Sequence, residues 1–550
     1  MEKRDWALIF VFLPILFAFS ARLWSQIGEF PTYGKLRTMH PDADETRESL
    51  LIQGRATVCE GQLGWLPWIG FDTTSFMDYY YQEACNYVNM CHSHNVLAGG
   101  YMGYFSATVS NTTDPNDMVV LGTWNNWENL TQYLGDKPGT SPLEWLQRDA
   151  TGAIADPISF LGINYFMFCP NNPAVLEWGK AQLNFLLKCD FDCAYNDEIR
   201  FIGEPELFTC YCSWCQDSFG SYLSSKYTVG ELSQYYGITD INSVKLPVSV
   251  MDLLWGESSQ FRAWSKARYL GQLKDYAHSL KPGFSLSASL TLASDMPSIV
   301  LPFAGYDPNI IQEGMDNILF DYGGGWTANN GSVLPMMLGG LKFSNSVFYQ
   351  VSLAVAGGMA GKPVVIHAPE FMDTLFPDLY TLALLRQAEV TAFGVASNIH
   401  FDPSYSYGET PPAFKDGETE FLGFIADNED HLYHSVAYAN IGLLEDIQSM
   451  QYYEWSYDKY SYFMPVGRVL ADNHIPYRMI SKETLETAEL SQFEALILPC
   501  SPCLSDVCAS KIDIFVQGGG GLLLYGVSGV RDENGHPRSK NALSVTFTTL

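Results

Sequence analysis

The feature that most constrains the fold is an alternation of short apolar runs with amphipathic helices between residues 50 and 405. Helices are predicted over Tyr79–His94 and Ala174–Leu187. The predicted strands are Val96–Phe105, Cys193–Glu198, Phe284–Leu290, Asn317–Asp321, Pro363–His367 and Ala396–Phe401. Because several of these runs end in polar or acidic residues, the pattern predicts an α/β fold with βα units closed into a (β/α)8 TIM barrel. In such a barrel the chemistry lies at the carboxyl ends of the strands.

The pattern changes after a turn-rich stretch at residues 403–412. Phe421–Ala426 is either the last piece of a linker or a first strand, and a helix is predicted around Met464–Asn473. Ala495–Pro499 is predicted as a buried parallel strand, and Gly518–Gly521 as a tight turn into a further strand. This order predicts a second domain that is flavodoxin-like, similar to class I amidotransferases.

The chain has 550 residues, which is too long for one ordinary domain. We predict a signal peptide or anchor at 1–24, a barrel at 25–410 and the second domain at 411–550. The basic start is followed by Trp6–Ala21, an apolar run that ends in small residues, as in a secretory signal. This run is shorter than the roughly 20 residues of a membrane span. We therefore expect a secreted or extracytoplasmic protein, with an uncleaved anchor tethering it to a membrane as the alternative.

The charge balance is strongly acidic, with 61 Asp and Glu against 31 Lys and Arg and a net charge of −30. Such a surface repels phosphate backbones, so we expect no nucleic-acid partner. The aromatic content of 14% suits sugar-stacking surfaces, and it equally suits a large core.

Three cysteines fall within six residues in Cys210-Tyr-Cys212-Ser-Trp-Cys215. They are too close together to bridge comfortably with one another. A fourth sulfur from a neighbouring segment would complete a tetrahedral structural zinc site, whereas disulfides to distant partners are the alternative. Cysteines interpreted as core residues are Cys59, Cys85, Cys91, Cys189 and Cys193. Cys500 follows a strand, but its neighbours do not predict the sharp turn of a catalytic nucleophile.

Asn196-Asp197-Glu198 lies at the end of a predicted strand, about a dozen residues before the three cysteines. A barrel enzyme presents an acid to its substrate in this way. The alternative is a solvated acidic pair that caps the next helix.

Several motifs together resemble glycoside hydrolase family 42, the β-galactosidases with a cysteine-bound zinc. They are Cys169-Pro-Asn-Asn-Pro, Asn196-Asp197-Glu198, Cys210 to Cys215, Lys226-Tyr227, Tyr236-Gly237, Asp316 to Asp321, His474 to Tyr477 and Leu496 to Pro499. The resemblance implies a TIM barrel and a structural zinc held by Cys169, Cys210, Cys212 and Cys215. It also implies a trimerisation-type second domain in a homotrimer, and retaining hydrolysis of β-galactosides or related β-glycosides as carbohydrate substrates.

The chain departs from the family pattern at both catalytic positions. The family places Asn-Glu at the acid/base strand end, so either Asp197 or Glu198 could be the acid, and we favour Glu198 for its longer reach. The family's nucleophile strand ends in Glu, but here His367 takes that place and Glu370 follows three residues later. Glu370 would serve as nucleophile if the strand end bulges, and an ordinary helix start is the alternative.

A retaining mechanism needs two carboxyls about 5 to 5.5 Å apart, one protonated and one ionised. The resemblance suggests that Asn196 hydrogen-bonds the sugar 2-hydroxyl. Asp321 is interpreted as substrate-binding or structural, and His367 either recognises a hydroxyl or makes a core hydrogen bond. Trp326 is either a wall for a sugar ring or an ordinary core residue.

Two functions from different classes follow. The first is a secreted, zinc-stapled glycoside hydrolase. The second is a non-catalytic carbohydrate-binding or assembly protein that keeps the barrel and has lost the nucleophile.

Overall fold

The computed structural model of the chain describes residues 38–40, 55–60, 74–110, 112–160, 163–197, 199–204, 207–249, 251–291, 305, 307–321, 362, 364–367, 378–392, 396–400, 412–432, 438–452, 463–487 and 489–544. The predicted signal or anchor at 1–24 lies outside these ranges. Within them, no helix combines the length and the apolar character needed to cross a membrane.

The described strands are β1 Thr38–His40, β2 Val58–Glu60, β3 Leu97–Tyr104, β4 Ser106–Ser110, β5 Ile158–Phe160, β6 Ile163–Met167, β7 Cys193–Asp197, β8 Gly203–Glu204, β9 Leu207–Phe208, β10 Ser285–Thr291, β11 Ile318–Asp321, β12 Val364–His367, β13 Ala396–His400, β14 Ile441–Leu444, β15 Tyr477–Ile480, β16 Ala495–Pro499 and β17 Gly521–Tyr525. The described α-helices are α1 Thr74–Ser93, α2 Val119–Asn125, α3 Trp127–Leu134, α4 Pro173–Lys188, α5 Ser213–Lys226, α6 Val229–Tyr236, α7 Trp255–Leu280, α8 Pro308–Ile311, α9 Leu379–Ala392, α10 Pro412–Asp427, α11 Glu429–Leu432, α12 Ile447–Tyr452, α13 Phe463–Asp472, α14 Lys482–Thr487 and α15 Asp506–Gln517.

Eight parallel strands close into a barrel in the order β1-β13-β12-β11-β10-β7-β3-β2. Helices α1, α4, α7 and α9 lie between successive barrel strands along the chain, as expected for βα units. The predicted α/β fold with a parallel barrel is therefore confirmed. Each of the six predicted strands corresponds to an observed one, with ends that differ by at most one residue.

Side-chain alternation along the strands separates two apolar regions. Cys193 and Tyr195 of β7 pack inside the barrel with Val58, Tyr101 and Val365. Side chains of the opposite parity belong to the large core between the strands and the surrounding helices, with Ala194, Leu286 and Ala288 among them. The period of two in these runs thus builds both layers of the barrel.

A bulge at the carboxyl end of β3 shapes the barrel rim. The register between β3 and β7 shifts between Tyr101 and Tyr104. Gly103 lies at this shift with a φ of 78°, a backbone conformation that favours glycine. Bulges of this kind re-aim side chains beside functional sites.

Two insertions follow neighbouring barrel strands. After β3 the chain forms a three-stranded antiparallel sheet in the order β4-β6-β5, together with α2 and α3. After β7 it forms the β8–β9 hairpin and helices α5 and α6. Because β3 and β7 pair directly, the two insertions emerge side by side at the same edge of the barrel.

The second sheet is parallel, with the strand order β15-β14-β16-β17. One face packs Leu443 and Ile497 with Leu470 of α13, and the other packs Leu444 and Leu496 with the α14 and α15 side. The predicted glycine turn is observed, because α15 ends at Gln517 and β17 starts at Gly521.

Two interpretations of the sequence are corrected. Phe421–Ala426 is neither linker nor strand, since it lies within α10, where Leu422 and Ile425 join the barrel core. Cys85 and Cys189 are not free core thiols, because they form a disulfide that joins α1 to the end of α4 with a Cα–Cα distance of 4.7 Å. Their pairing depends on helix packing across 104 residues, which the local sequence does not reveal.

A buried network joins the second insertion, the barrel and the second domain. Glu257 of α7 is fully buried and accepts hydrogen bonds from Lys226, Tyr222, Tyr227, Tyr236 and Tyr452. Lys226 also donates to the Tyr452 hydroxyl at 2.8 Å. Gly256 permits this contact, because a Cβ there would lie 2.3 Å from the Tyr452 ring.

Candidate active site and thiolate cluster

The carboxyl edge of the barrel collects the polar residues predicted for the site. Asn196 and Asp197 end β7, Asp321 ends β11 and His367 ends β12. Asp321 and His367 are register partners on adjacent strands. Because all eight barrel strands are parallel, these four backbone positions share one rim of the barrel.

Asp197 has the same parity as Cys193 and Tyr195, which point into the barrel. Its side chain is 8% exposed, and Oδ2 accepts a hydrogen bond from the Tyr101 hydroxyl at 2.7 Å. A hydroxyl donor stabilises the ionised form of a carboxyl more than the protonated form. Tyr101 is a site residue that the sequence reasoning missed, since only the β3–β7 register brings it to Asp197.

Asn196 is 2% exposed, and its Nδ2 donates to the Gly103 carbonyl at 3.2 Å across the bulge. Its Oδ1 has no hydrogen-bond partner among the described residues. Asn196 has the parity of Ala194, which faces the helices, so this buried acceptor lies on the opposite side of β7 from the Asp197 carboxyl.

The remaining predicted site residues are only partly described. Glu198, Trp326 and Glu370 lie outside the described residues. For Asp321 and His367 the backbone positions alone are given. The separation between the two predicted catalytic carboxyls therefore stays a prediction.

Four sulfurs converge between the two insertions. Cys169 follows β6 in the first insertion, and Cys210, Cys212 and Cys215 come from the second. The four Sγ atoms lie within 4.8 Å of one another, with Cys169 3.5 Å from Cys212 and 3.3 Å from Cys215. A tetrahedral ion with sulfur at about 2.3 Å requires sulfurs about 3.8 Å apart, so the cluster fits a bound metal ion.

Outer hydrogen bonds hold the sulfurs in place. The Arg148 backbone N–H donates to Cys210 Sγ at 3.2 Å, and Asn171 Nδ2 donates to Cys215 Sγ at 3.3 Å. Asn171 also donates to Ser265 Oγ and accepts from Arg268, each at 3.0 Å. N–H donors aimed at sulfur suit thiolate ligands, and their partners fix the ligand orientation. The role of Asn171 near the sulfurs could have been predicted from the sequence, because this residue belongs to the Cys169-Pro-Asn-Asn-Pro motif.

The protonation of the thiols depends on their mutual contacts. Burial raises the pKa of Cys169 and of Cys215 well above the usual value. Hydrogen bonding from Cys169, followed by that from Cys210 and Cys215, lowers the pKa of Cys212. A divalent cation would neutralise the negative charge of four clustered thiolates, three of which are buried.

No protein-family model matches the chain, and no curated protein matches it significantly in sequence. Solved structures do. A β-galactosidase from Bacillus circulans sp. alkalophilus is 14% identical with a TM-score of 0.63, over 92% of this chain and 73% of that one. A catalytic mutant of a family 42 β-galactosidase from G. stearothermophilus is 13% identical with a TM-score of 0.62, over 93% and 75%. An α-L-fucosidase from Paenibacillus thiaminolyticus is 16% identical with a TM-score of 0.51, over 92% and 66%.

These similarities extend over nearly the whole chain and establish that it has the fold of the family 42 β-galactosidases. The resemblance predicted from the sequence motifs is confirmed at the level of the fold. The convergence of Cys169 with the three clustered cysteines agrees with the ligand set that the resemblance implied.

Proposed function

We propose that this protein is a retaining glycoside hydrolase that cleaves β-galactosides or related β-glycosides. The observation that carries the proposal is the position of Asn196-Asp197 at the end of the fourth barrel strand along the chain, in a fold shared with family 42 β-galactosidases. The buried Asp197 carboxyl at this rim, on the barrel-facing side of β7, supports it. Ligand chemistry at the carboxyl ends of the strands is the rule for such barrels.

Glu198 is assigned as the general acid. The hydrogen bond from Tyr101 favours an ionised Asp197, which in that form cannot donate a proton. A negative charge at Asp197 would in turn raise the pKa of a neighbouring carboxyl and keep it protonated for donation to the leaving oxygen. This supports the preference for Glu198 over Asp197.

Glu370 is assigned as the nucleophile. It follows the end of β12 by three residues, and β12 is separated from β7 by β10 and β11 in the ring of strands. The carboxyl ends of β7 and β12 therefore lie on different sides of the barrel mouth. Such an arrangement can place a substrate between an acid and a nucleophile, about 5 to 5.5 Å apart in a retaining enzyme.

The ion proposed for the four-cysteine cluster is zinc in a structural role. Four thiolates with no ligand position left for water are typical of closed structural zinc sites. When bound, zinc would neutralise the thiolates and fasten the two insertions together beside the end of β7. It would take no part in the hydrolysis.

Export, assembly and the type of the second domain are also proposed. The Cys85–Cys189 disulfide supports an oxidising compartment, and hence a secreted protein or one held outside the cytoplasm by the N-terminal segment. The parallel order β15-β14-β16-β17 supports a flavodoxin-like, trimerisation-type domain. A homotrimer is inferred from the family resemblance.

The test is hydrolysis of a panel of aryl α- and β-glycosides by wild type, Glu198→Gln, Asp197→Asn and Glu370→Gln. We expect one β-glycoside to be cleaved with retention, and both Glu variants to lose several orders of magnitude in rate. Azide should restore turnover of an activated aryl glycoside in Glu198→Gln, because the activated leaving group departs without a proton and azide then displaces the enzyme carboxylate from the anomeric carbon without a general base. If Asp197→Asn shows that rescue instead, Asp197 is the acid.

A folded, metal-loaded protein that cleaves no member of the panel would overturn the hydrolase proposal. Sugar binding without turnover would then support the carbohydrate-binding alternative.

A further inference from the structure

A small cavity lies at the junction between the barrel and the second domain. Its volume is ≈ 50 Å³, which is enough for one or a few water molecules. The barrel side is lined by Gln260 of α7 and by Asp307 and Asn309 at the start of α8. The other side is lined by Glu445 after β14 and by Lys482 and Glu483 of α14.

Two carboxyls, one from each domain, line this cavity and are bridged by a single residue. Asp307 is 3% exposed and Glu445 is 4% exposed. The Asn309 backbone N–H donates to Asp307 Oδ1 at 3.2 Å, and its Nδ2 donates to Glu445 Oε2 at 3.4 Å. The contact between the domains at this point thus runs through Asp307, Asn309 and Glu445.

The hydrogen bonds to the two carboxyls are few or long for buried negative charges, and Asp307 receives them from backbone N–H groups of α8 and from one side-chain amide. Glu445 Oε1 has no hydrogen-bond partner in the described part of the chain. Asp307 Oδ2 accepts from Gln260 Nε2 at 3.4 Å, which is a long hydrogen bond. Burying a charge without pairing is strongly unfavourable, and a carboxyl commonly takes up a proton instead.

The charged groups around the pair do not neutralise it. Lys482 Nζ lies 3.3 Å from Asp446 Oδ1, so its charge is already paired. Glu483 adds a further negative charge at the exposed side of the cavity. The residues contributed by α7 and α12 are neutral, namely Gln260, Ile447, Gln448 and Gln451.

We infer that the junction is locked by protons: Asp307 and Glu445 are neutral when the barrel and the second domain are docked, and loss of these protons loosens the contact. A neutral carboxyl provides an O–H donor, which gives the free Glu445 oxygen a role toward water in the cavity. Two ionised carboxylates in the same place would repel each other. Among the groups that line the cavity, no unpaired cation could neutralise them.

The pKa shifts of the Asp307 and Glu445 carboxyls support this inference. Burial, followed by the charge of Glu483, raises the pKa of Asp307 to about 7. Burial, followed by the charge of Asp307, raises the pKa of Glu445 to about 8. In an open junction both values would return to about 4. The docked state therefore binds more protons between about pH 4 and 8, and docking weakens as pH rises through this window.

The test is hydrogen–deuterium exchange of peptides covering α8 and α12 in the full-length protein from pH 5 to 9, corrected for the intrinsic pH dependence of exchange. We expect the opening equilibrium to rise between pH 5 and 7 by about tenfold per pH unit for each participating carboxyl. In Asp307→Asn/Glu445→Gln, which keeps both side chains neutral, the equilibrium should not change with pH. The matched control Glu483→Gln should retain most of the wild-type slope.

A pH-independent equilibrium in wild type would overturn the inference, as would an unchanged slope in the double variant. If the double variant fails to fold, infrared difference spectra of the wild type decide. Protonated buried carboxyls should persist to about pH 7 to 8. Their complete loss by about pH 5 would overturn the inference.

Discussion

Tyr101 of β3 donates its hydroxyl proton to Oδ2 of Asp197 of β7 at 2.7 Å, at the rim where the two central strands of the proposed site pair. The bond joins the Asp197 carboxyl at the end of β7 to a residue almost a hundred positions earlier in the chain. The first prediction follows from it.

Tyr101→Phe should lower kcat/KM by about 10- to 100-fold, since a hydrogen bond to a charged group contributes about 1.5 to 3 kcal/mol. Loss of the donor disfavours the ionised form of the Asp197 carboxyl, so the acidic limb of the pH–rate profile should move to higher pH. The pH dependence of kcat/KM on the best β-glycoside measures both effects. The exposed Tyr79→Phe serves as control and should leave the profile unchanged. An unshifted limb in Tyr101→Phe would remove Asp197 from the titrating site.

Metal removal should unfold the two insertions. Cys212→Ser or exhaustive chelation should release one zinc per chain and cost on the order of 5 kcal/mol, since structural zinc contributes about 10 to 16 kcal/mol in small zinc domains. Elemental analysis and urea unfolding measure the two effects. Cys503→Ala, which removes a buried thiol of the second domain, should leave the metal content intact. Full stability of a metal-free protein would contradict the zinc assignment.

The Cys85–Cys189 disulfide closes a loop across 104 residues. Its reduction should lower the free energy of unfolding by about 2 to 4 kcal/mol. Urea unfolding with and without reductant tests this in wild type and in Cys85→Ala/Cys189→Ala. The double variant should match reduced wild type and should not respond to reductant. A response of equal size in both proteins would assign the effect to other cysteines.

Glu257 is the centre of the network that joins α5, α7 and α12. Glu257→Ala should lower the free energy of unfolding by about 3 to 5 kcal/mol, because it leaves a buried ammonium at Lys226 without its partner. Burial already lowers the pKa of Lys226, and loss of the carboxylate should favour the neutral amine further. Tyr452→Phe should cost about 1 to 3 kcal/mol. Urea unfolding measures each loss, and the exposed Asp217→Asn should stay within about 0.5 kcal/mol of wild type.

The backbone conformation of Cys500 could not be predicted from its neighbours in the sequence. Its flanking Pro499 and Ser501 predicted no sharp turn after the strand, yet Cys500 has a φ of 52° directly after β16. The turn is set by the pairing of β16 with β17, where the Cys500 backbone N–H donates to the Tyr525 carbonyl. The conformational propensities of three consecutive residues do not reveal that partner.

The sequence by itself determined the positions of the predicted barrel strands. Runs such as Val364–His367 and Ala495–Pro499 carry enough β-branched and apolar residues, bounded by turn formers, to fix a buried strand from local preference alone. It also predicted the cysteine cluster, because three sulfurs within six residues can converge on one point. The motif order was sufficient to predict the fold resemblance.

Only the tertiary structure decided which distant groups meet. The bond from Tyr101 to Asp197, the disulfide between Cys85 and Cys189, and the shared cavity of Asp307 and Glu445 each depend on helix and strand packing over many residues. Phe421–Ala426 was misassigned for the same reason: a short apolar run suits a strand or a helix, and packing of α10 on the barrel core selects the helix. The protonation of the buried carboxyls depends on their burial and on their hydrogen-bond partners, and both arise only when the chain is folded.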